Sequence, residues 1–155
     1  MLKERNMAEY ICELTDPVAA LAGVGVAFVA AVDGDAAVSD IATVIPEPER
    51  QAPRAELVAQ PPVAGEEFSG MGAWHKNDVN EAHTVTSGRG YLEFVTHEGI
   101  VGVIVTAGDV MLVQGAEHRY LPLEPQGWII RHGAAPEGDM APVDTGRADT
   151  PWPSL

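Results

Sequence analysis

The sequence predicts an all-β protein, an antiparallel barrel or sandwich, and three observations predict it. Between Glu67 and His132 the apolar residues fall into short runs: YLEFV, IVGVIV, DVMLV, RYLPL and GWIIRH. The runs are rich in β-branched and aromatic residues, which suit a pleated, half-buried surface. Turn segments separate them: SGRG at 87–90, THEG at 96–99, AGD at 107–109 and QGAE at 114–117. Strands at this spacing with hairpin-like turns are the pattern of antiparallel all-β architectures. Finally, 155 residues, 46% of them hydrophobic, supply one domain with a single core.

Residues 67–132 are therefore expected to be the barrel core. Residues 1–66 read as an irregular N-terminal segment and Pro-rich linker packing on it. Within them VGVAFVAAV suits a strand, the DGD turn at 33–35 follows, and AVSDIATVI can return as a second strand. A buried helix from Asp16 to Val32 competes; Gly23 and Gly25 weigh against it, and Pro17 suits a helix start. Five prolines between Ile45 and Pro62 make that stretch a linker, or an extended arm along a sheet edge. After His132 the chain is rich in Pro, Gly, Asp and Ala without periodicity, and residues 133–155 are expected to form a flexible tail.

Charge narrows the partners. Nine basic residues against 23 acidic give a net charge of −14. A duplex binder needs clustered Lys and Arg to displace counterions, and an anionic membrane repels such a chain, so neither partner is expected. Only eight of the acids lie in 67–132, against four basic residues, so most of the negative charge belongs to the flanks. Cys12, the one cysteine, excludes an internal disulfide and a thiolate-rich metal site; a small packed hydrophobe is its expected role. The longest apolar stretch, Val18 to Val32, falls short of the roughly 20 residues that span a bilayer. The opening residues mix acids and bases rather than forming a secretory signal. A cytoplasmic protein with a small-molecule partner is the expectation.

The chemistry concentrates in WHKNDVNEAHTVTSGRGYLEF, residues 74–94. Glu81, His83 and Val85 alternate along one strand and so share a face. If that face points inward, a carboxylate and an imidazole enter the barrel together. A buried carboxylate is costly unless paired or bound to a metal. Imidazole plus carboxylate without thiolate suits iron, manganese, nickel, copper or zinc. Two histidines and a carboxylate would leave open positions for a substrate.

These residues resemble the cupin superfamily. Its first motif, G-x5-H-x-H-x3-4-E-x6-G, is matched by His75, Asn77, Glu81 and Gly88, with Asn77 where a second histidine would stand. Its second motif, G-x5-P-x-G-x2-H-x3-N, is matched in shortened form from Gly108 through Gly115 to His118, without its proline and with Pro122 at the terminal asparagine position. The resemblance covers about residues 67–132 and implies a jelly-roll barrel whose metal is held by His75, Glu81 and His118, with Asn77 or His83 completing the site. Locally the segment looks most like acireductone dioxygenase, with H-x-N-x3-E-x-H and Gly88-Arg89-Gly90 in place of that family's H-x-H-x3-E-x-R and its hairpin. This implies a non-haem iron or nickel centre and an oxygen-using reaction, with His83 where the family has a substrate-contacting arginine. Iron(II) is the favoured ion.

His83 is the candidate acid or base, since its ordinary pKa lies near neutrality. Trp74, Tyr91 and Tyr120 are the candidate pocket residues, with core packing the alternative for each. Arg119 falls on the opposite face from His118 and is expected at the surface. A metal-dependent dioxygenase-type enzyme competes with two other readings: a redox-silent metal cupin acting as isomerase, cyclase or lyase, and a non-catalytic binding module. A homodimer in which N-terminal strands pair across subunits is a further expectation.

Overall fold

A computed structural model describes residues 9–30, 55–77, 79–133 and 142–155. The expected turn at 33–35, the return strand at 37–45, most of the Pro-rich stretch and the start of the tail lie outside these residues.

Among the described residues the fold is all-β apart from one short helix and one 3-10 turn. In chain order the strands are β1 (Glu9–Ile11), β2 (Val26–Ala30), β3 (Ala55–Ala59), β4 (His75–Lys76), β5 (Asn80–Ser87), β6 (Gly90–Thr96), β7 (Gly99–Val105), β8 (Asp109–Gln114), β9 (His118–Pro122), β10 (Gln126–His132) and β11 (Val143–Asp144). They form a six-stranded sheet, β1-β7-β6-β9-β4-β11, facing a five-stranded sheet, β2-β8-β5-β10-β3. Every pairing is antiparallel. The five runs read from sequence become β6 to β10.

Local chemistry explains the order. Helix α1 (Pro17–Ala22) starts at Asp16, whose Oδ1 accepts the Ala19 N–H at 3.0 Å, and Pro17 fills the first turn, where no donor is needed. Gly25, at φ 81°, breaks the chain into β2. So the disputed segment is a short helix followed by a strand. Gly88, at φ 78°, turns β5 into β6; a Cβ there would also collide with the Pro125 carbonyl. The β6–β7 hairpin closes at Thr96 and Gly99, with His97 exposed at its tip.

The N-terminal strands sit in the sheets. β1 pairs with β7, β2 with β8, and β3, from the Pro-rich stretch, with β10. These pairings cover edges that would otherwise present free backbone groups. Between the sheets lies a core that includes Leu21, Val85, Leu92, Phe94, Val101, Val103, Val105, Met111, Val113 and Trp128. Cys12 packs against it as a free thiol. Among the described residues no helix is long and apolar enough to cross a membrane.

The C-terminal segment departs from the expected flexible tail. β11 pairs with β4, and Trp152 stacks on Phe68 at 6.1 Å with an interplanar angle of 3°. Its indole N–H donates to the Glu67 carbonyl at 3.2 Å. An aperiodic sequence still packs when its few apolar side chains find a matching surface.

Candidate metal centre and cavity

At one end of the sandwich the sheets enclose a cavity of about 220 Å³. β4 and β9 bring His75 and His118 opposite one another, with their rings 4.5 Å apart. From the facing sheet, β5 contributes Glu81 and His83 on the face that strand alternation requires. Asn77, in the loop between β4 and β5, reaches in beside Glu81.

The two histidines are oriented alike. His75 Nδ1 lies 2.7 Å from the Ala73 carbonyl and His118 Nδ1 lies 2.8 Å from the Ala116 carbonyl. A carbonyl only accepts, so each Nδ1 donates, and a neutral ring keeps its lone pair on Nε2. Burial pushes the His118 pKa down to about 4, with the charge of neighbouring His75 adding to the effect. His118 is therefore neutral at pH 7, the form that coordinates metals, and its outer hydrogen bond fixes the ring as ligand histidines require.

Glu81 is nearly buried, which raises its carboxyl pKa. Contact with His83 and a hydrogen bond from Asn77 outweigh that effect and hold it below the ordinary value. Asn77 Nδ2 donates to Glu81 Oε1 at 2.9 Å, and His83 Nε2 lies 3.3 Å from the same oxygen. Asn77 Oδ1 is left buried without a hydrogen-bond partner. Such an atom costs free energy unless something meets it.

Two oriented imidazoles, an ionised carboxylate and an orphaned amide oxygen are donors of the types that suit a divalent first-row ion. Among the described residues, no three His, Cys, Asp or Glu side chains already surround a point that could hold one. Glu81 is turned toward Asn77 and His83. The histidine pair is the part of the donor set that is in place.

The rest of the wall is largely apolar: Leu57, Met71, Leu92, Met111, Trp128, Ile130 and Pro142. Tyr120 lines it too, with its hydroxyl held by Gln126 Oε1 at 2.5 Å and by the Trp128 indole N–H at 2.9 Å. Leu57, Met71 and Pro142 were missed by sequence reading. Leu57 lay in a stretch read as linker, where only the short run AELVA marks a strand. Met71 and Pro142 carry no local signal.

Trp74 and Tyr91 are not in the cavity. They face the opposite side of the six-stranded sheet, around Arg119, which is fully buried rather than at the surface. Its guanidinium lies 4.8 Å from the Trp74 ring and 3.9 Å from the Trp152 ring. Its Nε donates to Glu93 Oε1 at 2.7 Å, and its terminal nitrogens donate to the Thr150 carbonyl and hydroxyl. Tyr91 donates to the other Glu93 oxygen at 2.8 Å. Parity placed Arg119 on the correct face; the C-terminal segment covers that face.

Two facing antiparallel sheets with a histidine pair and a glutamate at one end define a cupin-like β-sandwich. Among solved structures the chain is similar to acireductone dioxygenase from Bacillus anthracis, a structure with a cadmium ion in its active centre. The TM-score is 0.54 at 18% identity, over 81% of this chain and 87% of that one. No protein-family model and no curated protein matches the chain.

Proposed function

We propose that this protein is a metal-dependent cupin-type enzyme acting on a small molecule, with an oxygen-using, dioxygenase-type reaction as its chemistry and iron(II) as its ion. The observation that carries the proposal is the His75–His118 pair. Both rings donate Nδ1 outward to backbone carbonyls, so both Nε2 lone pairs are left for the cavity. Histidines kept only for packing have no need of matched tautomers. The fold likeness to a dioxygenase whose structure holds a divalent ion supports the same reading.

In this reading His75, His118 and Glu81 hold the ion, and Asn77 Oδ1 is a fourth donor. An ion held there would supply Lewis acidity and open positions for substrate and dioxygen. The chain's own residues do the rest. The apolar wall excludes water, and Tyr120 is held by Gln126 and Trp128, so that edge of the pocket is rigid. His83 sits between Glu81 and the Trp128 ring, 5.7 Å from the latter, where an imidazole can take a proton from a bound substrate and return it.

The test is metal analysis of protein purified without chelator, followed by reconstitution with iron(II) under anaerobic conditions. Stoichiometric uptake in the wild type, lost in His75→Ala and His118→Ala, is expected. Oxygen consumption with candidate substrates then checks the reaction class, and turnover without oxygen would leave the isomerase, cyclase or lyase reading. Failure of the wild type to take up a divalent ion would sink the proposal.

A further inference from the structure

We infer that the C-terminal segment, residues 142–152, is a strap that positions His75, with Trp152 as its anchoring residue. The inference deepens the proposed function, since it rests on His75 as a ligand, and it names residues outside the cavity that hold that ligand in place.

The two candidate ligand histidines are not secured alike. His118 opens β9, which is registered against β6 from Gly90–Pro122 to Phe94–His118, and the Val95 N–H donates to the Glu117 carbonyl at 3.0 Å. That strand has its own anchorage in the sheet. His75 lies on β4, two residues long against the roughly five or six usual for a strand. β4 meets β9 at one pair, His75 with His118. Its other neighbour is β11, where Asp144 faces His75 and Val143 faces Lys76. The strap thus supplies the longer of the two pairings that fix β4.

The approach to β4 is held as well. The Thr145 N–H donates to the Trp74 carbonyl at 3.1 Å, its hydroxyl donates to Glu117 Oε2 at 2.5 Å, and the Arg147 guanidinium lies 5.6 Å from the Trp74 ring. Trp152 donates to the Glu67 carbonyl and stacks on Phe68, where the chain begins its run through the 3-10 turn Gly70–Gly72 to His75. Its own ring is held by the buried Arg119 guanidinium. Residues 67–75 are therefore fixed at both ends by the strap. At the strap's other end Pro142 lines the cavity.

A site needs its ligands within roughly 0.5 Å of the productive geometry. A two-residue strand keeps His75 there only while the strap is docked. Docking and ion binding are then coupled, and the coupling is reciprocal: the factor that strap release costs in ion affinity is the factor by which a bound ion favours docking.

The experiment has a metal-free arm and a zinc arm, both on full-length protein. In the first, NMR follows the imidazole N–H groups that His75 and His118 donate to the Ala73 and Ala116 carbonyls. Trp152→Ala is expected to broaden or lose the His75 signal and to keep that of His118. Trp152→Phe, which retains a ring for Arg119 and Phe68, should restore it. In the second, calorimetry should show Trp152→Ala binding zinc about tenfold more weakly than wild type, with Trp152→Phe close to wild type. Saturating zinc should slow hydrogen exchange of the wild-type Thr145 amide about tenfold.

A Trp152→Ala protein that loses stability while its His75 signal and zinc affinity stay those of wild type would overturn the inference. So would Thr145 exchange that zinc leaves unchanged, a measurement that needs no variant to fold. The two readings fail separately. A wild type that takes up no zinc loses the metal enzyme, and the metal-free spectra still decide whether the strap positions His75. Zinc uptake with an unmoved His75 signal in Trp152→Ala does the reverse.

Discussion

The Arg119 guanidinium carbon lies 3.9 Å from the centre of the Trp152 ring, although 32 residues of chain separate the two positions. The contact closes the sheet face opposite the cavity. It also draws the C-terminal segment across the strands that carry the histidine pair. β11 pairs Asp144 with His75, the Thr145 N–H donates to the Trp74 carbonyl at 3.1 Å, and Arg147 grips Glu117, the neighbour of His118. Each candidate ligand histidine is thus flanked by a residue that the C-terminal segment holds.

Arg119 is expected to behave as a buried charge with no alternative partner. Arg119→Met leaves Glu93 desolvated with only Tyr91 to meet it and should cost about 3–5 kcal/mol in urea unfolding. Adding Glu93→Gln should recover part of that loss, giving a clear coupling energy in the double-mutant cycle. Trp152→Ala removes the cation–π contact and some apolar burial, and should cost about 1–3 kcal/mol. Strict additivity of Arg119 and Glu93 would contradict the pairing.

The Glu117–Arg147 pair gives an acid-side signature. Arg147 donates to both Glu117 oxygens, at 2.9 and 3.0 Å, and holds the carboxyl below its ordinary value of 4.5. The folded chain then binds fewer protons than the unfolded one between the two values. The stabilisation is complete above about pH 4.5, and it is lost as pH falls through the depressed value. Arg147 is partly exposed, so the pair contributes only about 0.2–1 kcal/mol, less in high salt. Wild type and Glu117→Gln should differ at pH 7 and converge at the acid end of a urea series.

His118 should show a proton preference of the same sign, at higher pH. Its folded pKa of about 4 lies below the ordinary 6.5, so the unfolded chain binds the proton first. Stability of the metal-free protein should therefore fall as pH drops from 6.5 toward 4, with about one proton taken up on unfolding. Replacing the imidazole in His118→Asn should flatten that slope. A slope unchanged in the variant would show that another group titrates there.

Metal should stabilise the fold if the histidine pair holds it. At an ion concentration of about 100 times Kd, linkage adds about 2.7 kcal/mol. For a chain of this length that is a rise of about 5–10 °C in Tm. Chelator should reverse the rise, and His75→Ala combined with His118→Ala should abolish it. Glu81→Gln should reduce it, because the amide supplies a neutral oxygen in place of a charged one.

Much of the barrel was legible because its signals are local. Period-two alternation set Glu81, His83 and Val85 on one inward face, and glycine turns such as Gly88 marked where strands end. The resemblance to the cupin motifs implied one site for His75, Glu81 and His118, and the structure brings all three to one cavity. Their work as ligands remains the proposal that metal analysis tests. Trp74 and Tyr91 were placed in the pocket because aromatic residues near a candidate ligand suit a cavity wall. Which face of the sheet they occupy follows from where the strands pair, and they turned outward to Arg119.

By itself, then, the sequence determined the all-β class, the strand runs from β6 to β10 and the residue types that could bind an ion. Each of these is written in neighbouring residues, in alternation, turn chemistry and donor identity. Only the tertiary structure decided that Arg119 is buried, that residues 142–155 pack on the sheet, and that Leu57, Met71 and Pro142 reach the cavity. Those outcomes depend on surfaces brought together from distant parts of the chain. Whether a guanidinium meets water or an indole is settled by packing, and a lone aromatic between two prolines carries no local pattern to announce it.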